Sequence, residues 1–453
     1  MPVRQLFGTD GVRGVANRAP IIPETALALG RALASLCGRN SPRRQRIVIG
    51  KDTRLSGDML ESALIAGICS AGGDVLLAGV LPTPAIGFLA RSLAADAGVV
   101  VSASHNPFQD NGIKFFSASG FKLPDAVEEE IEQLVARVDC DAQRPTAADI
   151  GRLLPIADAE ERYTRFVNSA CPAHLTFNGL KVAIDCAHGA AHRVGPEIFR
   201  CRGAEVVAIG VSPNGENIND GCGALHPRRL QEAVVAERAD IGVALDGDAD
   251  RALLVDERGE LVDGDEMLAM AAADMLAHDT LRGATVVATV MSNIGLELAL
   301  RERGARLVRV AVGDRYVVEE MVRHGYNLGG EQSGHLLFLD HGTTGDGLVA
   351  GLTVVRLMIE QQRPLSALKR VMSRFPQALV NVPVRGREQL DAIAPVRQVI
   401  ERITNELNDR GRVLVRYSGT EPLVRVMVEG EEAAQVRVYA NEIADVIRVH
   451  LGA

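Results

Sequence analysis

The chain has no tryptophan, and aromatic residues make up only 4% of its 453 positions. Single-stranded nucleic acids bind by stacking bases on aromatic faces, so a chain this poor in them lacks such platforms. Positive charge is also short. Lys and Arg number 49 against 58 Asp and Glu, for a net charge of −9. That disfavours a general nucleic-acid binder, while local arginines can still hold an anionic ligand. There is no Cys-x-x-Cys pair. Seven cysteines (37, 69, 140, 171, 186, 201 and 222) are scattered and odd in number. The pattern argues against a zinc site and a disulfide framework and fits a reduced compartment. Nowhere do roughly 18 apolar residues run together, as a membrane-spanning helix requires. Met1 to Leu6 carries no apolar leader core. The expectation is a soluble, cytoplasmic protein that does not enter a membrane.

What is present is length and repetition. A chain of 453 residues exceeds one core and implies three or four domains. Three segments share one order: strand, polar loop, helix, glycine, strand. The first runs from Ile47-Val48-Ile49-Gly50 through a helical stretch at Met59 to Ser70, then Gly72-Gly73 and Val75-Leu76-Leu77. The second runs from Lys181 to Ile184, through a helix ending near Arg202, to Gly203-Ala204 and Val206 to Ile209. The third runs from Val286 to Thr289, through a helix to Arg303, to Gly304-Ala305 and Leu307 to Val310. Each is a crossover unit of a parallel or mixed sheet.

After about Pro376 the pattern changes. Ala378 to Val384 alternates as a strand, and Glu388 to Asn408 reads as a helix. Arg412 to Tyr417 and Leu423 to Glu429 read as strands, and Glu431 to Leu451 as a helix. The fold class expected is α/β: three related mixed-sheet domains in series (1–150, 151–257 and 258–373), then a smaller α+β domain (374–453).

Several stretches carry chemistry. Asp246-Gly247-Asp248-Ala249-Asp250-Arg251 lies between two apolar strands. Alternate carboxylates on a strand-end loop can converge on a hard cation such as Mg²⁺, and crowded carboxylates repel without one. A calcium helix-loop-helix would also place Asp at the first, third and fifth positions, and Glu257 falls at its twelfth. Its sixth position needs glycine, where Arg251 stands.

Ser104, in Ser102-Ala103-Ser104-His105-Asn106-Pro107, sits where an apolar strand empties into a loop, the place where open α/β sheets bind ligands. A turn serine bonding its own backbone is the plainer reading. Arg416-Tyr417-Ser418-Gly419-Thr420-Glu421-Pro422, with Arg425 beyond, offers hydroxyls, guanidiniums and an unshielded glycine N–H. That composition suits a phosphate. Phe7-Gly8-Thr9-Asp10-Gly11-Val12-Arg13-Gly14 sets Arg13 among glycines, either gripping an oxyanion or solvated on a turn.

In Gly329-Gly330-Glu331-Gln332-Ser333-Gly334-His335, the residues Glu331, Ser333 and His335 alternate and would share a face if extended. A carboxylate and a hydroxyl suit sugar hydroxyls or an amine, and His335 suits proton transfer. Lys114, flanked by Ile113, Phe115 and Phe116, is either a partly desolvated ammonium with lowered pKa or a lysine snorkelling from an edge strand.

Five of these stretches together resemble the α-D-phosphohexomutase superfamily, in order along the chain: Gly8 to Gly14, Ser102 to Pro107, Asp246 to Arg251, Gly330 to His335 and Arg416 to Pro422. Within it, Gln332 in the sugar loop, and Asn217-Ile218-Asn219-Asp220-Gly221-Cys222-Gly223, are similar to the amino-sugar branch rather than the mannose-phosphate branch, which usually carries Met at the position of Gln332. The resemblance implies four domains around one central cleft and an intramolecular phosphotransferase of the isomerase class. It implies Ser104 as a phosphoserine, and one Mg²⁺ per subunit held by that phosphate with Asp246, Asp248 and Asp250. Arg13 and Lys114 would flank the transferring phosphoryl group, with His335 as the other candidate for a catalytic base. Arg251 would support the metal loop and bind substrate. Glu331 and Ser333 would hold the sugar, and Arg416, Ser418, Gly419, Thr420 and Arg425 the phosphate that is not reacting. The implied reaction interconverts D-glucosamine 6-phosphate and D-glucosamine 1-phosphate through glucosamine 1,6-bisphosphate, feeding UDP-N-acetylglucosamine synthesis, in a homodimer. Three other readings stand beside it: glucose or mannose phosphate as substrate, a Mg²⁺ phosphatase with an aspartyl nucleophile, and a sugar-phosphate sensor without chemistry.

Overall fold

The computed structural model describes residues 6–8, 10–39, 43–136, 144–418 and 422–452. Its contacts group the chain into two units, 1–290 with 308–370, and 291–307 with 371–453.

The first unit holds three mixed sheets. The six-stranded sheet is built from β1 (Val12–Val15), β2 (Arg46–Lys51), β3 (Asp74–Val80), β4 (Ala97–Val101), β5 (Asp110–Ser117) and β6 (Leu153–Pro155), in the order β1-β5-β4-β2-β3-β6. β2, β3, β4 and β6 are parallel, while β5 runs antiparallel to both β4 and β1. β4 is buried along its whole length, as an apolar run in a sheet covered on both faces should be. Helices α1 (Pro23–Gly38), α2 (Gly57–Ser70), α3 (Thr83–Ser92) and α4 (Asp125–Val135) serve this sheet. α1 and α2 meet through bare glycines: a Cβ at Gly67 would lie 2.1 Å from the Leu27 carbonyl oxygen, and one at Gly30 2.6 Å from that of Leu64. Any side chain there would drive the helices apart.

The second sheet uses α5 (Ala159–Asn168), β7 (Lys181–Asp185), α6 (Val194–Arg200), β8 (Glu205–Ile209), α7 (Arg228–Glu237), β9 (Ile241–Leu245), β10 (Ala252–Asp256) and β11 (Leu261–Val262), in the strand order β11-β10-β9-β7-β8. β9 and β10 form an antiparallel hairpin with Leu245 opposite Ala252. After α8 (Gly264–Ala277), the third sheet comprises β12 (Thr285–Thr289), β13 (Arg306–Val310), β14 (Leu328–Gly330) and β15 (Leu336–Phe338), in the order β13-β12-β14-β15. β13 belongs to this unit from Val308 onward, whereas α9 (Ile294–Glu302) groups with the second unit. α10 (Asp314–His324), α11 (Gly347–Gln361) and α12 (Leu365–Leu368) complete the first unit.

In the second unit β16 (Gln377–Pro383), β17 (Arg412–Tyr417) and β18 (Leu423–Glu429) form an antiparallel sheet, β16-β18-β17. Its core joins Val382, Val424, Val426 and Val428 to Ile403 of α13 (Ala394–Leu407) and to Ile443 and Ile447 of α14 (Ala433–Leu451). The expected helix from Glu388 begins six residues later, at Ala394. Pro395 is favoured in a first helical turn and not deeper inside, and Leu390–Ala392 forms a separate short turn.

Candidate active site

Ser104 leaves β4 with φ +53°, a region uncommon for a side chain larger than glycine. It is almost fully buried, and its Oγ donates to Asp246 Oδ2 at 2.7 Å and lies 3.4 Å from His105 Nδ1. Its backbone N–H donates to Ser102 Oγ (2.9 Å), which donates to Asp52 Oδ2 (2.6 Å). This serine is therefore aimed by a side-chain chain of its own and is no ordinary turn residue. Burial, then Arg251 and Arg13, push the His105 imidazole down to about 4, so the ring beside Ser104 is neutral.

The β9–β10 loop supplies the carboxylates. Asp246, Asp248 and Asp250 are all buried, and each offers an oxygen within 4.8 Å of the others. A Cβ at Gly247 would lie 2.6 Å from the Ser104 carbonyl oxygen, so the aspartate loop and the serine loop touch across a residue that has to be glycine. Asp248 Oδ2 accepts from Thr83 Oγ1 (2.6 Å) and Lys114 Nζ (2.8 Å), and its Oδ1 is buried with no hydrogen-bond partner. Asp250 Oδ1 sits 3.7 Å from both Arg251 Nε and His335 Nδ1. Burial, then Asp250 and Asp248, push the Asp246 carboxyl well above the usual carboxylate range. Converging buried oxygens, two of them (Asp248 Oδ1 and Asp250 Oδ1) without a hydrogen-bond partner, fit a hard divalent cation such as Mg²⁺. The calcium-loop alternative fails on Glu257, whose carboxylate is taken up by the N–H and hydroxyl of Ser366.

The cations around this loop differ from expectation in one respect. Lys114 is not on an edge strand, since β5 is paired on both sides, and its pKa is not lowered. Burial opposes its charge, but Asp10 (3.3 Å), Asp248 (2.8 Å) and Asp250 (3.6 Å) outweigh burial and raise it. Ile113 and Phe115 point to the opposite face of the strand, into the hydrophobic core, while residues far along the chain decide the charge. Lys114 is thus an ammonium held among three carboxylates. Arg13, on β1, pairs with Asp10. Arg251 donates its backbone N–H to Asp246 Oδ1 at 3.3 Å.

The expected sugar loop is a turn rather than an extended strand. Glu331 N–H donates to the His335 carbonyl and Gly334 takes φ +92°, closing β14 onto β15. Glu331 and Ser333 still meet, with Ser333 Oγ donating to Glu331 Oε2 at 3.3 Å, and Gly313 N–H donates to Glu331 Oε1 at 3.2 Å. His335 does not share their face. It is buried, with Nδ1 3.7 Å from Asp250 and Nε2 3.4 Å from Asp314. Burial opposes its charge, but Asp250 and then Asp314 overcome this and raise its pKa.

In the second unit Arg416 and Arg425 stand directly opposite each other on β17 and β18. Burial, then the Arg425 charge, lower the pKa of Arg416. The Ser418 carbonyl accepts from Arg387 Nη2 at 2.8 Å. Gly419 and Thr420 lie outside the described residues, as does Thr9 of the first loop.

Sequence reasoning missed Asp52 and Thr83, which hold Ser102 and Asp248. It also missed Lys122, which donates to Asp10 and Asp314 at 2.5 Å each. Asp10 lay inside a recognised glycine loop, but its value as a partner of Arg13, Lys114 and Lys122 had no local signal.

A buried serine hydroxyl bonded to one of three converging aspartates, on serial mixed α/β sheets, is joined by likenesses that make this a phosphotransferase of the isomerase class. The chain belongs to the phosphoglucomutase/phosphomannomutase family. The family's α/β/α domain I matches residues 4–141, domain II 161–259, domain III 263–375 and the C-terminal domain 379–446. Among curated relatives, the phosphoglucosamine mutase of Pelobacter propionicus is 55% identical over 450 residues, covering 99% of both chains. That of an Anaeromyxobacter species is 58% identical over 453 residues, covering 99% of this chain and 96% of the relative. Among solved structures, a phosphoglucomutase/phosphomannomutase family protein of Burkholderia thailandensis shares the fold with TM-score 0.80 at 24% identity, covering 98% of this chain and 99% of that one. The Aspergillus fumigatus N-acetylphosphoglucosamine mutase, solved with GlcNAc-6P and magnesium, matches with TM-score 0.63 at 20% identity, covering 81% and 92%.

Proposed function

We propose that this protein interconverts D-glucosamine 6-phosphate and D-glucosamine 1-phosphate through a phosphoserine at Ser104. Full-length relatives at more than half identity carry the name of that activity. The observation that carries the chemistry is the 2.7 Å hydrogen bond from Ser104 Oγ into the aspartate trio.

The cycle begins with phospho-Ser104. The Oγ–P bond breaks as the free hydroxyl of the sugar monophosphate forms a new P–O bond, its proton passing in net to the released Ser104 oxygen, giving glucosamine 1,6-bisphosphate and the serine hydroxyl. The bisphosphate turns over, and the Ser104 hydroxyl takes its other phosphoryl group. Asp246, Asp248 and Asp250, with the serine phosphate, would hold one Mg²⁺ per subunit, which would supply Lewis-acid neutralisation of phosphoryl charge. Phosphoryl transfer needs mainly positioning and charge stabilisation. Arg13 and Lys114 supply fixed positive charge on the protein side. Arg251 braces the metal loop, and Glu331 and Ser333 bind the sugar with Gln332 beside them. Lys114 and His335, the latter held between Asp250 and Asp314, are the two candidates for the catalytic base. Arg416, Ser418, Gly419, Thr420 and Arg425 grip the distal phosphate. The domains we assign to this cycle are 1–150, 151–257, 258–373 and 374–453, working in the cytoplasm as a homodimer.

Two measurements test the reading. Intact mass of purified protein should show one added phosphate, mapped to Ser104. Turnover with Mg²⁺ should give a higher kcat/KM for glucosamine 6-phosphate than for glucose or mannose 6-phosphate. A preference for either neutral sugar would reassign the substrate, and phosphate on an aspartate with release of inorganic phosphate would reassign the reaction.

A further inference from the structure

The serine loop is gripped from behind by two residues that the cycle above leaves without a role. Arg54 is buried, with no exposed side-chain surface, and it spends all five of its N–H groups. Nε donates to Asp52 Oδ2 at 2.8 Å. Nη1 donates to the carbonyls of Pro107 and Asp110, the latter at 3.0 Å. Nη2 donates to the carbonyls of Ser104 (2.9 Å) and Asn106 (2.8 Å). Asn219 reaches the same two carbonyls from the loop after β8. Its Nδ2 donates to the Ser104 oxygen at 2.9 Å and the Asn106 oxygen at 3.1 Å. Asn219 is itself buried with φ +60°, and its N–H is anchored on the Ala187 carbonyl at 2.9 Å.

The two carbonyls thus receive four donors, two from the first sheet's side and two from the second's. A carbonyl oxygen has two lone pairs, so both are saturated. A backbone polar group needs one partner when buried; two charge-assisted or amide partners on each of two adjacent carbonyls exceed what satisfaction requires. What the surplus secures is conformation. Ser104 holds a left-handed φ that its side chain disfavours, and such a state persists only where its surroundings over-determine it. Turning the Ser104 peptide to relieve that φ would break Arg54 and Asn219 contacts together and swing Oγ away from Asp246.

We infer that Arg54 and Asn219 are positioning residues for phosphoryl transfer, a two-sided clamp that fixes the Ser104 peptide so that its Oγ faces the aspartate trio. The inference rests on the phosphoserine reading. It also gives a role to the Asn217–Gly223 stretch: the second domain uses Asn219 to hold the first domain's nucleophile.

The test is a set of variants, Asn219→Ala, Asn219→Asp and Arg54→Lys, assayed with glucosamine 6-phosphate, Mg²⁺ and glucosamine 1,6-bisphosphate. Misplacing a reacting group by about 1 Å costs about 100-fold in rate. Asn219→Asp sets a carboxylate against two carbonyls and should lower kcat about 100-fold. Asn219→Ala, which only removes donors, should lower it about 10-fold. KM should stay within about threefold in both, since neither residue reaches substrate. The ³¹P resonance of phospho-Ser104 should shift or broaden in both. Arg54→Lys cannot reproduce the fork, and its loss should combine with Asn219→Ala to less than the product, because the two share acceptors. Should Arg54→Lys fail to fold, the Asn219 pair still decides. Wild-type kcat in Asn219→Asp, a loss confined to KM, or a rate loss that tracks melting temperature with an unchanged ³¹P signal would each overturn the clamp. Wild-type protein that carries no phosphoserine and does not turn over would instead overturn the functional reading beneath it.

Discussion

Two hairpins carry opposite charge on the same backbone device. In the first unit, β9 and β10 close on Asp246, Asp248 and Asp250; in the second, β17 and β18 set Arg416 directly against Arg425. Like charges placed side by side are unfavourable in both. The three aspartates are buried and are held by Thr83, Lys114 and Ser104, whereas Arg416 and Arg425 are only half-buried. On the proposed function, the difference separates chemistry from grip. A group that transfers phosphate has to be dry and fixed, so its charges are balanced from inside the protein as far as a cation's remaining share. A group that only holds a phosphate can stay wetter and leave its balance to the ligand.

The largest effect that would break this contrast lies at the serine. Ser104→Ala should reduce turnover by at least about 1,000-fold, with no phosphate detected by intact mass and an unchanged circular dichroism melt. Next, EDTA should abolish turnover and Mg²⁺ restore it, with calorimetric Mg²⁺ affinity falling at least about 10-fold in Asp250→Asn. The basic hairpin variants should bind the ion normally.

Lys114→Met would remove a counter-charge shared by Asp10, Asp248 and Asp250. Breaking one buried pair costs about 3–5 kcal/mol, so chemical denaturation should show a loss of about that size along with the loss of activity. Arg416→Met should behave differently. Charge-assisted hydrogen bonds are worth about 1.5–3 kcal/mol, so KM should rise about 10- to 100-fold, while stability holds or improves as Arg425 loses a like-charged neighbour.

The smallest effect is a pH dependence behind the acidic hairpin. Asp346 caps α11 through the N–H groups of Leu348 and Val349 and accepts from Tyr163 Oη at 3.0 Å. Burial pushes its carboxyl up to about 6. The folded protein therefore binds this proton more tightly than the unfolded chain, whose carboxyl titrates near 4. The stabilisation is complete below pH 4 and disappears as pH rises through 6, a loss on the order of 2 kcal/mol. Asp346→Asn keeps a capping oxygen and should lose this slope, so its stability relative to wild type should rise between pH 4 and pH 7 in denaturant titrations.

Most central strands, the charged loops and their order could be read along the chain, while the short strands β1, β6 and β11 could not. The β9–β10 and β17–β18 hairpins, and Ser104 at the end of β4, were legible because an apolar run bounded by polar or glycine residues is a local signal. The aspartate trio was legible for the same reason: its members lie within five positions of one another. Only the tertiary structure decided what each charged group is. Lys114 reads as a desolvated, weakened ammonium beside Ile113 and Phe115. It becomes a strengthened one because Asp248, 134 positions away, reaches its Nζ. His335 turns inward because Gly334 takes a left-handed turn that alternation along a strand does not foresee. Thr83 meets Asp248 across 165 positions, and Asn219 meets Ser104 across 115. Protonation and orientation are set by burial and by the nearest opposite charge, and in this chain those neighbours are brought by packing and not by adjacency.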